Sequence, residues 1–169
     1  MAVAPGKAIM VHRHVDGSAR GYAALNQPEE SARPTDFTDV EAGLARVASV
    51  CRALTAFIRE SETLPVLRPI YALPVGLRWD RVPGVTLLGD AAHLMSPFAG
   101  EGANLAMVDG AALARAIVEH PGDVDVALDA YDQALFPRSA EVAAVSARNL
   151  ARFFGRDAPW SIVLLFDHA

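Results

Sequence analysis

An α/β fold is predicted by three observations: two apolar runs around Asp-Gly, one apolar run ending in Gly-Asp, and two long helical patterns after it. The first two runs are residues 7–12 (KAIMVH) and 19–25 (ARGYAAL), which flank Asp16-Gly17 as the strands of an antiparallel hairpin do. Val85-Thr86-Leu87-Leu88 is different, because it is continuous rather than alternating and ends in Gly89-Asp90. That is the pattern of a strand buried on both faces of a parallel sheet.

The remaining elements follow in chain order. Residues 26–39 carry Pro28 and Pro34 and read as a loop. Asp39 is a suitable N-cap for a helix in which Val40, Leu44, Val47, Val50 or Cys51, Leu54 and Ile58 recur at helical spacing. Three prolines (Pro65, Pro69 and Pro74) keep residues 65–76 extended. An Ala-rich helix is expected from about Gly102 to Glu119, stopped by Pro121-Gly122, with Gly110 and the alanines packing closely against a sheet. Val124, Ala127, Leu128, Tyr131 and Leu135 share one face of the next helix. Pro137 should kink or restart it, with Val142, Val145, Asn149 and Phe153 continuing. Two domains are expected, residues 1–78 and 79–169. A strand buried on both faces needs parallel neighbours, and only one such run is present. The chain therefore reads as the later part of a larger α/β protein.

Composition narrows the function classes. The 169 residues are 52% apolar, which excludes a disordered tail. Fifteen basic against 20 acidic side chains give a net charge of −5. Nucleic acid is not an expected partner, because phosphate binding needs a basic face. The single cysteine, Cys51, excludes an internal disulfide and reads as a buried structural thiol. No run approaches the ~18 apolar residues that span a bilayer, and the first residues lack a signal-peptide pattern. No membrane partner is expected, and the expected setting is cytoplasmic.

The chemistry concentrates in residues 89–104, GDAAHLMSPFAGEGAN, with Asp109 just beyond. Asp90 stands at the carboxyl end of the expected strand, where open α/β sheets place ligands. A carboxylate there accepts hydrogen bonds from polyol hydroxyls. Pro97 stiffens the turn, while Gly100 and Gly102 let backbone approach a ligand closely. The amides of Gly102, Ala103 and Asn104 then open a helix, presenting a partial positive charge. A flat ligand with a polyol arm and an electron-rich edge suits this arrangement.

The segment resembles the second flavin-binding motif of the single-component flavoprotein monooxygenases, with the tetracycline-modifying enzymes as the nearest group. The order of elements is similar along nearly the whole chain, although only residues 85–109 are strongly specific. The resemblance implies the C-terminal part of an FAD-binding parallel-sheet domain (GR2-type, Rossmann-like), joined to part of an antiparallel substrate-domain sheet. It implies that Gly89 and Asp90 meet the ribityl chain of FAD. The backbone of Gly100, Gly102, Ala103 and Asn104 would face the pyrimidine edge, with Pro97 and Phe98 where flavin and substrate meet. Arg20 would lie on the substrate-side sheet, and Phe153 and Trp160 would close the pocket. NADPH or NADH would serve as transient reductant, and dioxygen would hydroxylate an aromatic or polyketide-like small molecule. Since the flavin carries the hard chemistry, no side chain is assigned as catalytic.

The family's Gly-x-Gly-x-x-Gly is absent, as Gly100-Glu101-Gly102 continues into Ala103, Asn104 and Leu105. The chain therefore reads as a truncated product or as one half of a split protein whose N-terminal half is a separate chain. Alone, it is expected to bind FAD weakly or not at all. The alternatives are a catalytically inactive remnant and a partner-binding module without flavin. No metal site is expected: Asp90-x-x-His93 and His12-x-His14 offer only two ligands each. No Gly-x-Ser-x-Gly elbow supports a hydrolase, so Ser96 reads as structural and His93 as a residue shaping the turn. Asp109 reads first as a local cap or pair, with anchoring of the flavin loop as its other role. Phe153, Phe154 and Trp160 read as core aromatics ahead of pocket walls.

Overall fold

A computed structural model of the chain describes residues 1–28, 42–43, 45 and 52–166. Pro34, Asp39, Val40, Leu44, Val47, Val50 and Cys51 lie outside the described residues, as do the readings made for them. The chain divides into two compact units: Met1–Pro69 with Ala151–Ala169, and Ile70–Leu150. Leu73, in the stretch that carries the prolines, donates its N–H to Leu94 C=O at 2.8 Å within the second unit.

The first unit holds a three-stranded antiparallel sheet, β1 (Ala2–Ala4), β2 (Lys7–Arg13) and β3 (Ala19–Leu25), in the order β1-β2-β3. The hairpin is the expected one, with Met10 opposite Tyr22 and His12 opposite Arg20. Its turn closes locally: His14 N–H donates to Ser18 C=O at 2.8 Å, and Gly17 adopts φ 88°. Strand β1 was not evident in the sequence, because three residues cannot display a period. Helix α1 (Arg52–Arg59) also belongs to this unit. Ala8 and Ile9 are buried, as are Phe154, Ala158 and Ile162.

The second unit is built on helices. A one-turn helix α2 (Asp90–His93) and a 3-10 turn (Pro97–Ala99) precede α3 (Gly102–Glu119) and α4 (Val124–Phe154), of which residues 124–150 belong to this unit. Helix α3 matches its expected span and ends where His120 leaves helical dihedrals ahead of Pro121. Helix α4 starts at an Asp123 cap, whose Oδ1 accepts Val126 N–H at 3.1 Å. Ala127, Tyr131 and Leu135 form a core with Ala92 and Ala116, packed by Trp79 and Phe136. Trp79 meets Phe136 edge to face at 4.8 Å.

Three expectations need correction. Pro137 does not restart the helix: α4 runs through it, because buried residues on both sides (Leu135 before, Ser139 and Ser146 after) hold the helix against its own unit. Residues 85–88 form no regular strand; Val82 and Val85 make one isolated bridge, and Val85 is 54% and Leu88 43% exposed. A strand needs a ladder partner, and none occurs among the described residues. For the same reason α3 does not pack on a sheet. Met107, Val108, Ile117 and Val118 are exposed, and a Cβ at Gly110 would meet nothing within 4 Å.

What holds residues 81–88 is α4. Arg81 pairs with Asp125 at 3.0 Å, Gly84 N–H donates to the same carboxylate at 2.9 Å, and Thr86 Oγ1 donates to Asp132. Tyr131 O–H donates to Leu87 C=O at 3.2 Å, and burial, reinforced by the Asp109 charge, pushes the phenol above its ordinary pKa.

Candidate functional site

The site begins at a turn that only glycine adopts readily. Gly89 has φ 58° and ψ −140°, far from the conformations of residues with a side chain. Its carbonyl accepts Ala92 N–H at 2.9 Å and His93 N–H at 3.0 Å, starting α2. Its own N–H is turned inward, onto Asp109 Oδ2 at 2.9 Å. Asp109 is 0% exposed, and the same oxygen meets His93 Nε2 at 2.6 Å. The other oxygen accepts Arg138 NH2 at 2.9 Å. A buried carboxylate is tolerable here because donors meet both of its oxygens. Asp90, by contrast, faces outward with its carboxylate exposed.

The next stretch is pinned from α4. Ser96 and Ser146 share a hydroxyl hydrogen bond at 2.7 Å, and Asn149 Nδ2 donates to Phe98 C=O at 2.9 Å. The 3-10 turn then ends at Gly100, left-handed at φ 72°, whose N–H returns to Pro97 C=O at 3.0 Å. Glu101 is the N-cap of α3 and makes no side-chain cap bond. Its carboxylate instead accepts Asn104 Nδ2 at 3.1 Å. The first amides of α3 thus receive no side-chain cap from Glu101, and the first turn carries no acid. A Cβ at Gly100 or Gly102 would meet no atom within 4 Å, so the backbone there stands open.

Gly89, Asp90, Pro97, Phe98, Gly100, Gly102, Ala103 and Asn104 all belong to the second unit, on one continuous turn–helix framework. Arg20, Phe153 and Trp160 belong to the first unit: Arg20 is exposed on β3, Phe153 is half-buried, and Trp160 is 71% exposed. The core reading holds for Phe154 and fails for Trp160, which sits at the first position of α5 (Trp160–Phe166) and points outward. Sequence reasoning missed Arg138 and Ser146, and gave Asn149 only a place on a helical face. Their signal was faint: polar side chains at helical spacing on a mostly apolar face. Among the described residues no cluster of three or more His, Cys, Asp or Glu is placed to hold a metal. No described helix is long and apolar enough to cross a membrane.

The turn thus sets an exposed carboxylate directly after a positive-φ glycine and ahead of a helix start that has no side-chain cap. Residues 77–146 match the family model described as an FAD binding domain. The chain is 33% identical over 103 residues to a dual O-methyltransferase/FAD-dependent monooxygenase of Cercospora beticola, covering 61% of this chain and 11% of that protein. It is 32% identical over 117 residues to kynurenine 3-monooxygenase of Stenotrophomonas maltophilia, covering 62% of this chain and 26% of that enzyme. The crystal structure of P. aeruginosa PqsL in complex with 2-aminobenzoylacetate superposes with a TM-score of 0.61 at 25% identity, over 96% of this chain and 44% of that one. These likenesses support the flavin monooxygenase family. The chain spans less than half the length of each of these relatives.

Proposed function

We propose that this chain forms the riboflavin-holding side of an FAD-dependent monooxygenase that hydroxylates a small aromatic or polyketide-like molecule with dioxygen and NADPH or NADH. The observation that carries the reading is the pairing of an exposed Asp90 with an uncapped α3 start. The residues present fit the cofactor. Asp90 accepts hydrogen bonds from ribityl hydroxyls, and Gly100 and Gly102 keep the backbone open to a flat ring. The amides of Gly102, Ala103 and Asn104 meet its electron-rich edge, where a helix start favours negative charge by about 0.3–1 kcal/mol. When bound, the flavin supplies the redox chemistry, and these residues bind and orient it. Phe98, the middle residue of the 3-10 turn, is proposed as a substrate contact. Arg20, Phe153 and Trp160 are proposed as outer substrate contacts. An aromatic substrate is supported by the compounds named for two relatives, kynurenine and 2-aminobenzoylacetate.

A second reading concerns completion of the site. Residues 85–88 are pinned by α4 through Thr86 and Leu87 yet expose Val85 and Leu88, as a strand awaiting sheet neighbours does. We infer that an N-terminal half carrying the pyrophosphate-binding turn pairs there, within a longer polypeptide or as a separate chain.

Flavin titration of the chain, followed by fluorescence quenching, tests both. Loss of pyrophosphate and adenosine contacts of ~4 kcal/mol is about a thousandfold in affinity, so binding is expected to be weak but saturable. Riboflavin should compete about as well as FAD, and Asp90→Ala should weaken both. Binding unaffected by Asp90→Ala, or no saturable binding, overturns the assignment of the site.

A further inference from the structure

Helix α2 has four residues, far too few to hold its own shape, so an outside anchor must set it. Asp109 supplies that anchor at both ends. Its Oδ2 meets the amide of Gly89, the residue before the helix, and Nε2 of His93, the last residue in it. Arg138 holds the other oxygen from α4 and so prevents the carboxylate from swinging away. Asp90 follows Gly89 directly, so the direction of its exposed carboxylate depends on the Gly89 dihedrals that this one oxygen holds in place. Asp109 itself is fully buried and out of reach of any ligand.

We propose that Asp109 is a positioning residue for the cofactor: it locks the turn that presents Asp90 without touching the ligand. The proposal rests on the flavin reading above for the ligand and on the turn geometry for the lock. His93 acts as the second point of attachment, with Nε2 as donor and its buried Nδ1 without a hydrogen-bond partner. The lock therefore needs a ring that keeps its proton on Nε2, and Asp109 selects that tautomer.

The test compares the unaltered chain with Asp109→Asn, which keeps the size but replaces one acceptor oxygen by a donor. Proton–nitrogen spectra of the ligand-free chain read the lock directly. The Gly89 amide proton is expected far downfield, and the His93 ring protonated at Nε2. In D109N the Gly89 signal should move upfield, and riboflavin affinity should fall about ten- to a hundredfold, the usual scale for a hydrogen bond to a charged group. Leu128→Ala, a buried change on α4, should lower stability while leaving the Gly89 signal and the riboflavin affinity unchanged. Riboflavin affinity unchanged in D109N overturns this inference alone. No riboflavin binding by the unaltered chain overturns the flavin reading. Should D109N fail to fold, the unaltered spectrum decides: an ordinary Gly89 shift, or a His93 proton on Nδ1 alone, overturns the lock.

Discussion

Two glycine turns in this chain use an aspartate in opposite ways. At Gly17 the carboxylate is next door. Asp16 Oδ1 accepts Ser18 N–H at 2.9 Å and Ser18 Oγ–H at 2.7 Å, fully in water. At Gly89 the neighbouring aspartate, Asp90, faces outward, and the carboxylate that binds the turn comes from Asp109, twenty residues on and sealed from solvent. The first turn is a local device that joins two strands. The second depends on the packing of α3 and α4, and it leaves its own aspartate exposed. An exposed hydrogen bond competes with water and contributes little, whereas a buried one cannot be replaced when it is lost.

The comparison is broken hardest by Asp109→Ala. It strands the Gly89 amide and His93, while Arg138, 28% exposed at its side chain, partly rehydrates. The expected loss is about 3 kcal/mol, at the lower end for a broken buried pair, measured by urea unfolding. A loss under about 0.5 kcal/mol would make the two turns equivalent in energy. Gly89→Ala should cost about 1–3 kcal/mol through backbone strain. Crowding adds little, since the new Cβ would stand 3.4 Å from Ala106 Cβ, an ordinary contact. Gly17→Ala, at φ 88° with open space around it, should cost about 1 kcal/mol and leave riboflavin binding unchanged.

The smallest effect is one of pH. The Ser18 hydroxyl, and then its amide, hold the Asp16 carboxyl below its ordinary value. A depressed folded value means that the contribution is complete above the unfolded carboxylate pKa. It is lost as pH falls through the folded one. Carbon NMR of Asp16 should show this low midpoint, and Ser18→Ala should return it toward the ordinary range. A midpoint unmoved by S18A would remove the local cap from the comparison.

Much was legible because it depends on near neighbours. The hairpin was readable from Asp16-Gly17 between apolar runs, and α3 from its span between Gly102 and Pro121. The candidate site was readable as an order of residues, from Gly89 to Asn104. Less readable was which polar groups hold that order in place. Arg138, Ser146 and Asn149 are 29 to 51 residues from their partners, and nothing local announces such a bond. Whether the helix would restart at Pro137 was not readable for the same reason, since burial on both sides of it carries α4 through one missing amide bond.

The sequence by itself determined the hairpin, the span of α3 and the order of turn residues from Gly89 to Asn104. These follow from backbone dihedrals and side-chain spacing over a few residues. Only the tertiary structure decided that Asp109 is the buried anchor of the turn, and that residues 85–88 rest on α4 with apolar side chains still exposed. Burial and long-range pairing decide those features, and both are properties of the packed chain rather than of any short stretch of it.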